Sequence, residues 1–507
     1  MKTLSQIAAA VPGMRVVGDG DVVVLGITHD SRSVQPGDIF AALKGENVDG
    51  TRFVESATAN GAVAVLCDAP LDIPLPQLVV TDVRMRLGEV AAACFDHPAR
   101  ALRLIGITGT NGKTTITYLV ESILQHAAMA CGVMGTVEYR FGTQKWHADH
   151  TTPEATVVQS IMRKMVDAGA NALAMEVSSH GLSLGRLNGC EFDVVAFTNL
   201  TQDHLDFHHT MEEYADAKMR LFTEMIAHRL DVKVVINLDD LFSKKIIESC
   251  GRDVISISSL GNLAATLYPV SPPEYSISGT VATIQTPDGE VKIQTGLCGA
   301  HNLNNLLVAF GICRAMGISN DTVQKAAKHI PSVPGRLERV PCDLGFSIFV
   351  DYAHTPDALV NVLRVLKPMT PGRLICVFGC GGDRDGAKRP IMGAAVAQYA
   401  DIAIVTSDNP RTEEPKKIIS MVLPGVQKFQ DDKLELNQLG DARNGYIAIT
   451  ERREAIARAI QCAGAGDAVL LAGKGHEDYV IIGREKFHFD DREEAAIAVK
   501  KRKENAL

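Results

Sequence analysis

One segment constrains this chain more than any other: Gly109-Thr110-Asn111-Gly112-Lys113-Thr114-Thr115. The apolar run Leu102-Arg103-Leu104-Ile105-Gly106-Ile107 precedes it, and a helix-patterned run from Tyr118-Leu119-Val120 to Leu124 follows. A strand that feeds a helix through a glycine-bearing turn ending in Lys-Thr is the setting of a phosphate-binding loop. Glycines let backbone N–H groups turn inward onto phosphate oxygens, and the helix N-terminus adds positive potential. Lys113 is then expected to neutralise terminal phosphates and the Thr114 hydroxyl to ligate Mg²⁺. Gly109, Thr110, Asn111, Gly112 and Thr115 complete the cradle. The strict pattern wants a glycine where Ile107 stands, and Gly106 lies one place too early. The alternative is a tight strand–helix turn with an incidental lysine; the preceding strand and the Thr pair favour the phosphate loop.

Strand–helix alternation around the loop implies a parallel sheet covered on both faces. Ala172-Leu173-Ala174-Met175, Val194-Val195-Ala196-Phe197 and Val232 to Ile236 read as its further strands. A β-rich stretch over about 253–297 and helices to about 330 follow. Ahead of the loop, Val22 to Ile27, Ile39 to Leu43, Ala62 to Leu66 and Leu78 to Val80 read as short strands. Asp96-His97-Pro98 marks a boundary, because the residue before a proline resists helix. Beyond Pro334-Gly335-Arg336, the runs Ser347 to Val350, Leu374 to Phe378, Ile402 to Val405 and Ala468 to Leu471 make a second α/β sheet. The expected fold is α/β with three domains, 1–99, 100–334 and 335–507; a length of 507 residues suits that number at about 150 per domain.

Charge narrows the partners. With 51 basic and 60 acidic residues the net charge is −9, which argues against bulk electrostatic binding to nucleic acid or acidic membranes. No apolar run reaches the roughly 18–20 residues of a membrane span, and Met1 to Ala10 lacks the apolar core of a secretion signal. Eleven scattered cysteines, an odd number, read as free thiols of a reducing compartment. A cytoplasmic monomer is expected.

Glu176 follows the Ala172–Met175 run, and a carboxylate at the carboxyl end of a parallel strand faces the ligand crevice. It could hold Mg²⁺; a helix-capping role stays open. Asn199-Leu200-Thr201-Gln202-Asp203-His204-Leu205-Asp206-Phe207-His208-His209 invites a zinc reading, but no glutamate stands beside the first histidine as HExxH sites require. His204 as one Mg²⁺ ligand fits better. His208 and His209 read as surface or loop histidines.

These motifs, with Glu176-Val177-Ser178-Ser179-His180, His301-Asn302-Leu303-Asn304-Asn305, Pro334-Gly335-Arg336 and Asp351-Tyr352-Ala353-His354, stand in the order seen in the Mur ligases. Those are the ATP-dependent amide ligases of peptidoglycan precursor synthesis, and the chain resembles them over nearly its whole length. Asp30-Ser31-Arg32-Ser33-Val34-Gln35-Pro36-Gly37-Asp38 resembles their third-step members, which extend UDP-N-acetylmuramoyl-L-alanyl-D-glutamate. The resemblance implies a UDP-sugar-binding first domain, a central P-loop ATPase domain and a Rossmann-like C-terminal domain that takes the amino acid. It also implies the chemistry. A carboxylate must lose an oxygen to form an amide, so the ATP γ-phosphate is first transferred to it, and the amine then displaces phosphate. Such a first step rests mostly on positioning and charge neutralisation.

Residue by residue, the resemblance gives Lys113, Thr114, Glu176 and His204 to the phosphates and Mg²⁺. Glu213-Tyr214-Ala215-Asp216-Ala217-Lys218 resembles the segment whose lysine carries a carbamate in this family. A free ammonium at Lys218 would repel Mg²⁺, whereas a carbamate on the same stem could bind it; read without the resemblance, Lys218 is a surface lysine on an amphipathic helix. Asn302, Arg336 and Asp351 match nucleoside positions, with His354 a neighbour, although Asn302 would equally serve a turn and Asp351 a cap. Ser31 matches a uridine-side contact. Thr151, Thr152, Ser178 and Arg186 match muramoyl-peptide contacts. Two residues depart from the family pattern: His150 stands where asparagine is usual and Leu184 where glutamine is common.

Asp408-Asn409-Pro410-Arg411 resembles the motif of diaminopimelate-adding members. Diaminopimelate is a lysine with an additional carboxylate at its far end, which an Arg411 guanidinium can hold bidentately. Lysine would leave that arginine unpaired. An Asx-Pro turn explains the same residues locally. Arg384, Gly473 and Glu477 match the remaining positions, with Glu477 opposite the distal ammonium. The implied activity is addition of meso-diaminopimelate to the D-glutamate γ-carboxylate, using ATP and Mg²⁺. Two rivals stand beside it. Folylpolyglutamate synthetase shares the loop and the amide chemistry but lacks a UDP-sugar domain. A nucleotide-sensing binding protein would bind ATP without turnover.

Overall fold

The computed structural model describes residues 1–45 and 48–505. The chain divides into two compact units. Met1–Pro272, Ala282–Ile293 and Asn304–Lys328 make the first; Pro273–Val281, Gln294–Leu303 and His329–Leu507 make the second.

Two mostly parallel sheets with separate cores lie in the first unit. The N-terminal one holds β1 (Arg15–Val17), β2 (Gly26–Thr28), β3 (Asp38–Ala41), β4 (Ala64–Cys67) and β5 (Gln77–Val79), in the order β1-β5-β4-β3-β2. Only the β1–β5 pair is antiparallel. Its faces are filled by Leu4, Ile7, Ile39, Leu66, Val83, Leu87 and Val90 on one side and Val34, Phe40, Val54 and Val65 on the other. The single strand expected over Val22 to Ile27 is broken: Val23–Val24 pairs with Lys2–Thr3, while β2 pairs with β3. Leu25 between them is exposed, its N–H held by the Gly37 carbonyl at 2.9 Å, so the chain changes partner there.

Helix α1 (Val83–Cys94) seats this sheet on the next one. Asp82 caps it by accepting the Met85 N–H, and the Asn188 amide donates to the Met85 carbonyl at 2.7 Å. A Cβ on Gly88 would lie 1.8 Å from the Asn188 carbonyl oxygen, so only glycine permits this approach.

The second sheet is built on β6 (Arg103–Thr108), β7 (Cys131–Met134), β8 (Tyr139–Phe141), β9 (Gln144–Trp146), β10 (Ala172–Glu176), β11 (Val194–Phe197), β12 (Lys233–Asn237) and β13 (Val254–Ile257). Their order is β9-β8-β7-β10-β6-β11-β12-β13. All pairs are parallel except β7–β8 and β8–β9. The chain leaves β6 toward β7 on one side and later returns to lay β11 on its other side. The carboxyl end of β6 is therefore a topological switch point, where ligands of open α/β sheets bind. Helix α2 (Lys113–His126) starts there and buries Ile116, Leu119, Val120, Ile123 and Leu124.

The second unit carries the third mostly parallel sheet: β14 (Glu338–Val340), β15 (Ser347–Asp351), β16 (Leu374–Cys380), β17 (Ile402–Ser407), β18 (Gly445–Ala448) and β19 (Ala468–Ala472), ordered β14-β15-β19-β16-β17-β18. Every pair but β14–β15 is parallel. Strands β15, β16, β17 and β19 thus end on one edge, and the loops that follow them share it. Among the described residues no helix is long and apolar enough to cross a membrane.

Candidate active site

Gly109 and Gly112, both at positive φ (146° and 92°), shape the turn between β6 and α2. A Cβ on Gly109 would lie 1.9 Å from the Thr198 hydroxyl, and one on Gly112 2.3 Å from Asn305 Oδ1. The segment after β11 braces the loop. Thr198 Oγ1 donates to the Asn111 carbonyl at 2.7 Å, and the Asn111 N–H donates to Asn199 Oδ1 at 2.9 Å. Tyr214 OH meets Thr110 Oγ1 at 3.1 Å. Lys113 Nζ folds over the loop and donates to the carbonyls of Gly109 and Thr110 at 2.9 and 2.8 Å. Thr114 and Thr115 are buried in the first turn of α2.

Lys218, on helix α3 (Met211–Met219), is no surface lysine: it is 1% exposed, and its Nζ donates to the Gly109 carbonyl at 2.9 Å. The Tyr214 ring lies 4.4 Å below it. Burial first, and the Lys113 charge second, hold its pKa well below the usual lysine value. The amine is therefore disposed to be neutral.

Glu176 closes β10 beside Ile107 of β6. It is buried, and its carboxylate accepts the Thr136 N–H at 2.9 Å and the Thr136 hydroxyl at 3.1 Å. It caps no helix, which removes that alternative. His204 has positive φ (53°) and a half-exposed ring 4.8 Å from that of His180, edge to face. Burial first, with the Lys113 charge adding to it, lowers the His204 pKa. His208 corrects the expectation of a surface histidine. It is 4% exposed, its Nε2 meets Ser179 Oγ at 2.9 Å, and burial takes its pKa down to about 4. Among the described residues, no three His, Cys, Asp or Glu side chains form a ready-made metal cage.

The expected peptide-side residues meet next to Glu176. Thr152 Oγ1 donates to the Glu176 carbonyl at 2.8 Å and accepts the Ser178 N–H at 2.9 Å. Ser178 caps the short helix Ser179–Ser183, and Thr151 Oγ1 lies 2.9 Å from Thr136 Oγ1. Arg186 donates to the Thr152 carbonyl at 2.9 Å and pairs with Glu154 at 2.8 Å. Ser31 stands elsewhere, on the first sheet's Ser31–Ser33 turn, where the Asn60 amide donates to its carbonyl. Of the departures noted above, His150 accepts the Tyr139 hydroxyl through its backbone and Leu184 caps Ser179–Ser183.

In the second unit, Asp351 ends β15 and accepts the N–H groups of Leu337 (2.7 Å) and Ala353 (2.9 Å). It caps no helix. Arg336 stands 5.1 Å from the Tyr352 ring, and the buried Asn302 amide donates to the Cys298 carbonyl at 3.0 Å. Cys298, Leu337 and Ala353 pack in one core cluster, which draws these three residues to one region.

The residues expected to take the amino acid line the same sheet edge. After β17, Arg411 has positive φ (50°) and donates to the Gly382 carbonyl at 2.8 Å. Arg411 and the exposed Arg384 flank Gly381: a Cβ there would lie 3.0 Å from Arg411 Nη1 and 3.6 Å from Arg384 Cγ. Gly473, after β19, donates its N–H to the Asp351 carbonyl at 3.0 Å. The Asn409 amide donates to Glu477 Oε2 at 3.0 Å. Burial, then the Asp408 charge, raises the Glu477 pKa. Asp408-Asn409-Pro410-Arg411 is thus more than a local turn, because its side chains reach across to two neighbouring loops.

Sequence reasoning missed Thr136, Glu154, Tyr214 and Lys474. Glu154 follows directly on Thr151-Thr152-Pro153, and Lys474 lies between Gly473 and Gly475. Their positions beside quoted motifs were the available signal; Thr136 carried none.

Comparison with known proteins agrees with this architecture. Residues 23–95 match the description "Mur ligase family, catalytic domain", 107–313 the Mur ligase middle domain, and 335–475 the "Mur ligase, glutamate ligase domain". A UDP-N-acetylmuramoyl-L-alanyl-D-glutamate–2,6-diaminopimelate ligase of Geobacter sulfurreducens is 45% identical, with 98% of each chain covered. The protein of that name from Geobacillus thermodenitrificans is 41% identical over 99% of this chain and 100% of its own. A solved structure of a ligase with that name is 35% identical, covers 95% of each chain and superposes with a TM-score of 0.69. This chain belongs to the Mur ligase family.

Proposed function

We propose that the chain is an ATP-dependent amide ligase. It joins the D-glutamate γ-carboxylate of UDP-N-acetylmuramoyl-L-alanyl-D-glutamate to meso-2,6-diaminopimelate and splits ATP to ADP and phosphate. We place the reaction in the cytoplasm, where its ATP is supplied, and assign the three functions to residues 1–99, 100–334 and 335–507. The observation that carries the reading is the rim of the third sheet. There Arg411 and Arg384 flank Gly381, while Asn409, next to Asp408, donates to Glu477 Oε2 at 3.0 Å. Guanidinium groups beside carboxylates suit an amino acid that bears ammonium and carboxylate groups at both ends.

The loop Gly109 to Thr115 takes the ATP phosphates. Lys113, now on its own loop's carbonyls, turns to the phosphate oxygens and offsets their charge. Asn302, Arg336 and Asp351 take the nucleoside, Asp351 as acceptor for ribose hydroxyls. The donor set suits Mg²⁺: the Thr114 hydroxyl, the Glu176 carboxylate and a carbamate at Lys218 would supply oxygen ligands and His204 a nitrogen. Bound there, Mg²⁺ would neutralise charge on the transferring phosphoryl group. Lys218 can carry the carbamate because its amine is buried and disposed to be neutral: nitrogen adds to CO2, loses a proton and becomes an anionic ligand.

Ser31 binds on the uridine side; Thr151, Thr152, Ser178 and Arg186 hold the peptide so that its γ-carboxylate meets the γ-phosphate. A carboxylate oxygen bonds to phosphorus and ADP leaves. Asp408, Asn409, Gly473 and Glu477 hold the diaminopimelate, with Glu477 opposite its distal ammonium, and the other amine then attacks the acyl carbon. Phosphate departs and the nitrogen gives up a proton. Arg411 and Arg384 hold the distal carboxylate, the group that L-lysine lacks.

Phosphate release with ATP, Mg²⁺ and the UDP-sugar dipeptide, with meso-diaminopimelate or L-lysine in parallel, tests the reading. Turnover with diaminopimelate alone is expected. Turnover with lysine instead overturns the specificity, and silence with both overturns the ligase.

A further inference from the structure

Lys474 lies in the loop after β19 with no exposed surface. Its ammonium has three hydrogens and three fixed neighbours: the Tyr479 carbonyl at 2.8 Å, Asn409 Oδ1 at 3.0 Å and Asp408 Oδ1 at 3.2 Å. Two fixed acceptors and one neighbouring carboxylate hold this ammonium in place, so it serves as a clamp.

What it clamps is the Asn409 amide. The oxygen of that amide receives both Lys474 Nζ and the Ile481 N–H, each at 3.0 Å. Both are donors only, so the atom facing them must be Oδ1. Asn409 Nδ2 is thereby aimed the other way, at Glu477 Oε2. The polarity of one amide, fixed by a buried lysine, sets the direction of the Glu477 carboxylate on the rim.

Lys474 also stands between two negative groups. Asp408 is 9% exposed, and among the described residues its Oδ1 accepts no hydrogen bond, although the Lys474 charge is close. A buried carboxylate oxygen of this kind is suited to a further donor. Without Lys474, Asp408 and Glu477 would repel each other across the Asn409 amide.

Building on the function proposed above, we propose that Lys474 is a positioning residue for amino-acid selection. It orients Asn409 and holds Asp408 and Glu477 as a matched pair of acceptors for an ammonium group of the incoming diamino acid.

Steady-state kinetics of Lys474→Met, varying each substrate in turn, test this. The KM for meso-diaminopimelate should rise at least tenfold, more than kcat falls. The KM values for ATP and the UDP-sugar dipeptide should stay within about twofold. Lys474→Gln keeps a donor to Asn409 without the charge and should fall between wild type and Lys474→Met. If the stranded Asp408 charge prevents Lys474→Met from folding, Asp408→Asn/Lys474→Met removes it. The double variant should then show a diaminopimelate KM at least tenfold above that of Asp408→Asn alone. A diaminopimelate KM unchanged in the Lys474 variants, or equal in the double variant and Asp408→Asn, overturns the role. A wild-type chain without diaminopimelate-dependent turnover overturns the function itself, and this role with it.

Discussion

The Lys218 amine donates to the Gly109 carbonyl at 2.9 Å across 109 residues of chain, joining helix α3 to the phosphate loop. Lys113 Nζ reaches the same carbonyl. Two ammonium groups on one oxygen repel, so a neutral amine at Lys218 relieves the loop, and a carbamate would reverse the sign of the interaction.

Replacing Lys218 by Ala is therefore expected to cost phosphate release about 10²-fold or more, the scale for losing a group that organises transition-state charge. Acetate or formate, supplying the missing anion, should restore part of it. Lys218→Arg, which stays charged and forms no carbamate, should be at least as poor and gain nothing from the added acid. Near wild-type turnover by Lys218→Ala would remove the carbamate from the mechanism.

Glu154 holds Arg186 at 2.8 Å and lies 3.8 Å from Arg84 of helix α1. Glu154→Gln keeps the size but weakens the pairing that aims Arg186. The KM for the UDP-sugar dipeptide should rise about 5- to 30-fold, equivalent to about 1–2 kcal/mol, with that for diaminopimelate unchanged. Equal effects on both would mean a general loss of structure.

Gly382 touches the loop that bears Arg411: a Cβ there would stand 1.9 Å from the Pro410 carbonyl oxygen. Gly382→Ala must part the two loops, since backbone cannot yield as a side-chain tip does. It is expected to raise the diaminopimelate KM more than those of the other substrates and to lower the melting temperature. Unchanged melting and kinetics would show that the two arginine loops need no close contact.

Glu413 locks those loops from beneath. Its carboxylate takes both terminal Arg389 guanidinium nitrogens, at 2.6 and 2.9 Å, and the Asp383 N–H at 2.6 Å. The Arg389 bond first, then the Asp383 N–H, lowers its pKa to about 2 from 4.5. A carboxyl whose folded pKa is depressed stabilises the fold fully above its unfolded value and loses that contribution as pH falls toward the folded one. The melting-temperature gap between wild type and Glu413→Gln should thus be widest above about pH 5 and shrink between pH 5 and 2. A gap independent of pH would separate the lock from the Glu413 charge.

Much of the site was legible because it sits where strands end. The glycine-turn lysine, Glu176 after an apolar run, and Asp408 to Arg411 after Ile402–Ser407 each carry their position in the local pattern, since buried parallel strands are short continuous apolar runs. The Val22 to Ile27 run misled for the same local reason. Its apolar pattern is continuous, but the two halves pair with different partners on either side of exposed Leu25.

The sequence by itself determined the α/β class, the glycine turn between β6 and α2 and the order of the motifs, because these follow from periodicity and from residue types at fixed spacing. Tertiary structure alone decided burial and partnership. Lys218 and His208 read as surface residues until long-range packing enclosed them against Gly109 and Ser179. Lys474, an unremarked lysine between two glycines, acquires its two acceptors and the neighbouring Asp408 carboxylate only where loops from separate strands meet. The physical reason is that the charge state of an amine or imidazole depends on solvent access and on charges brought near by the fold, and neither is encoded in its sequence neighbours.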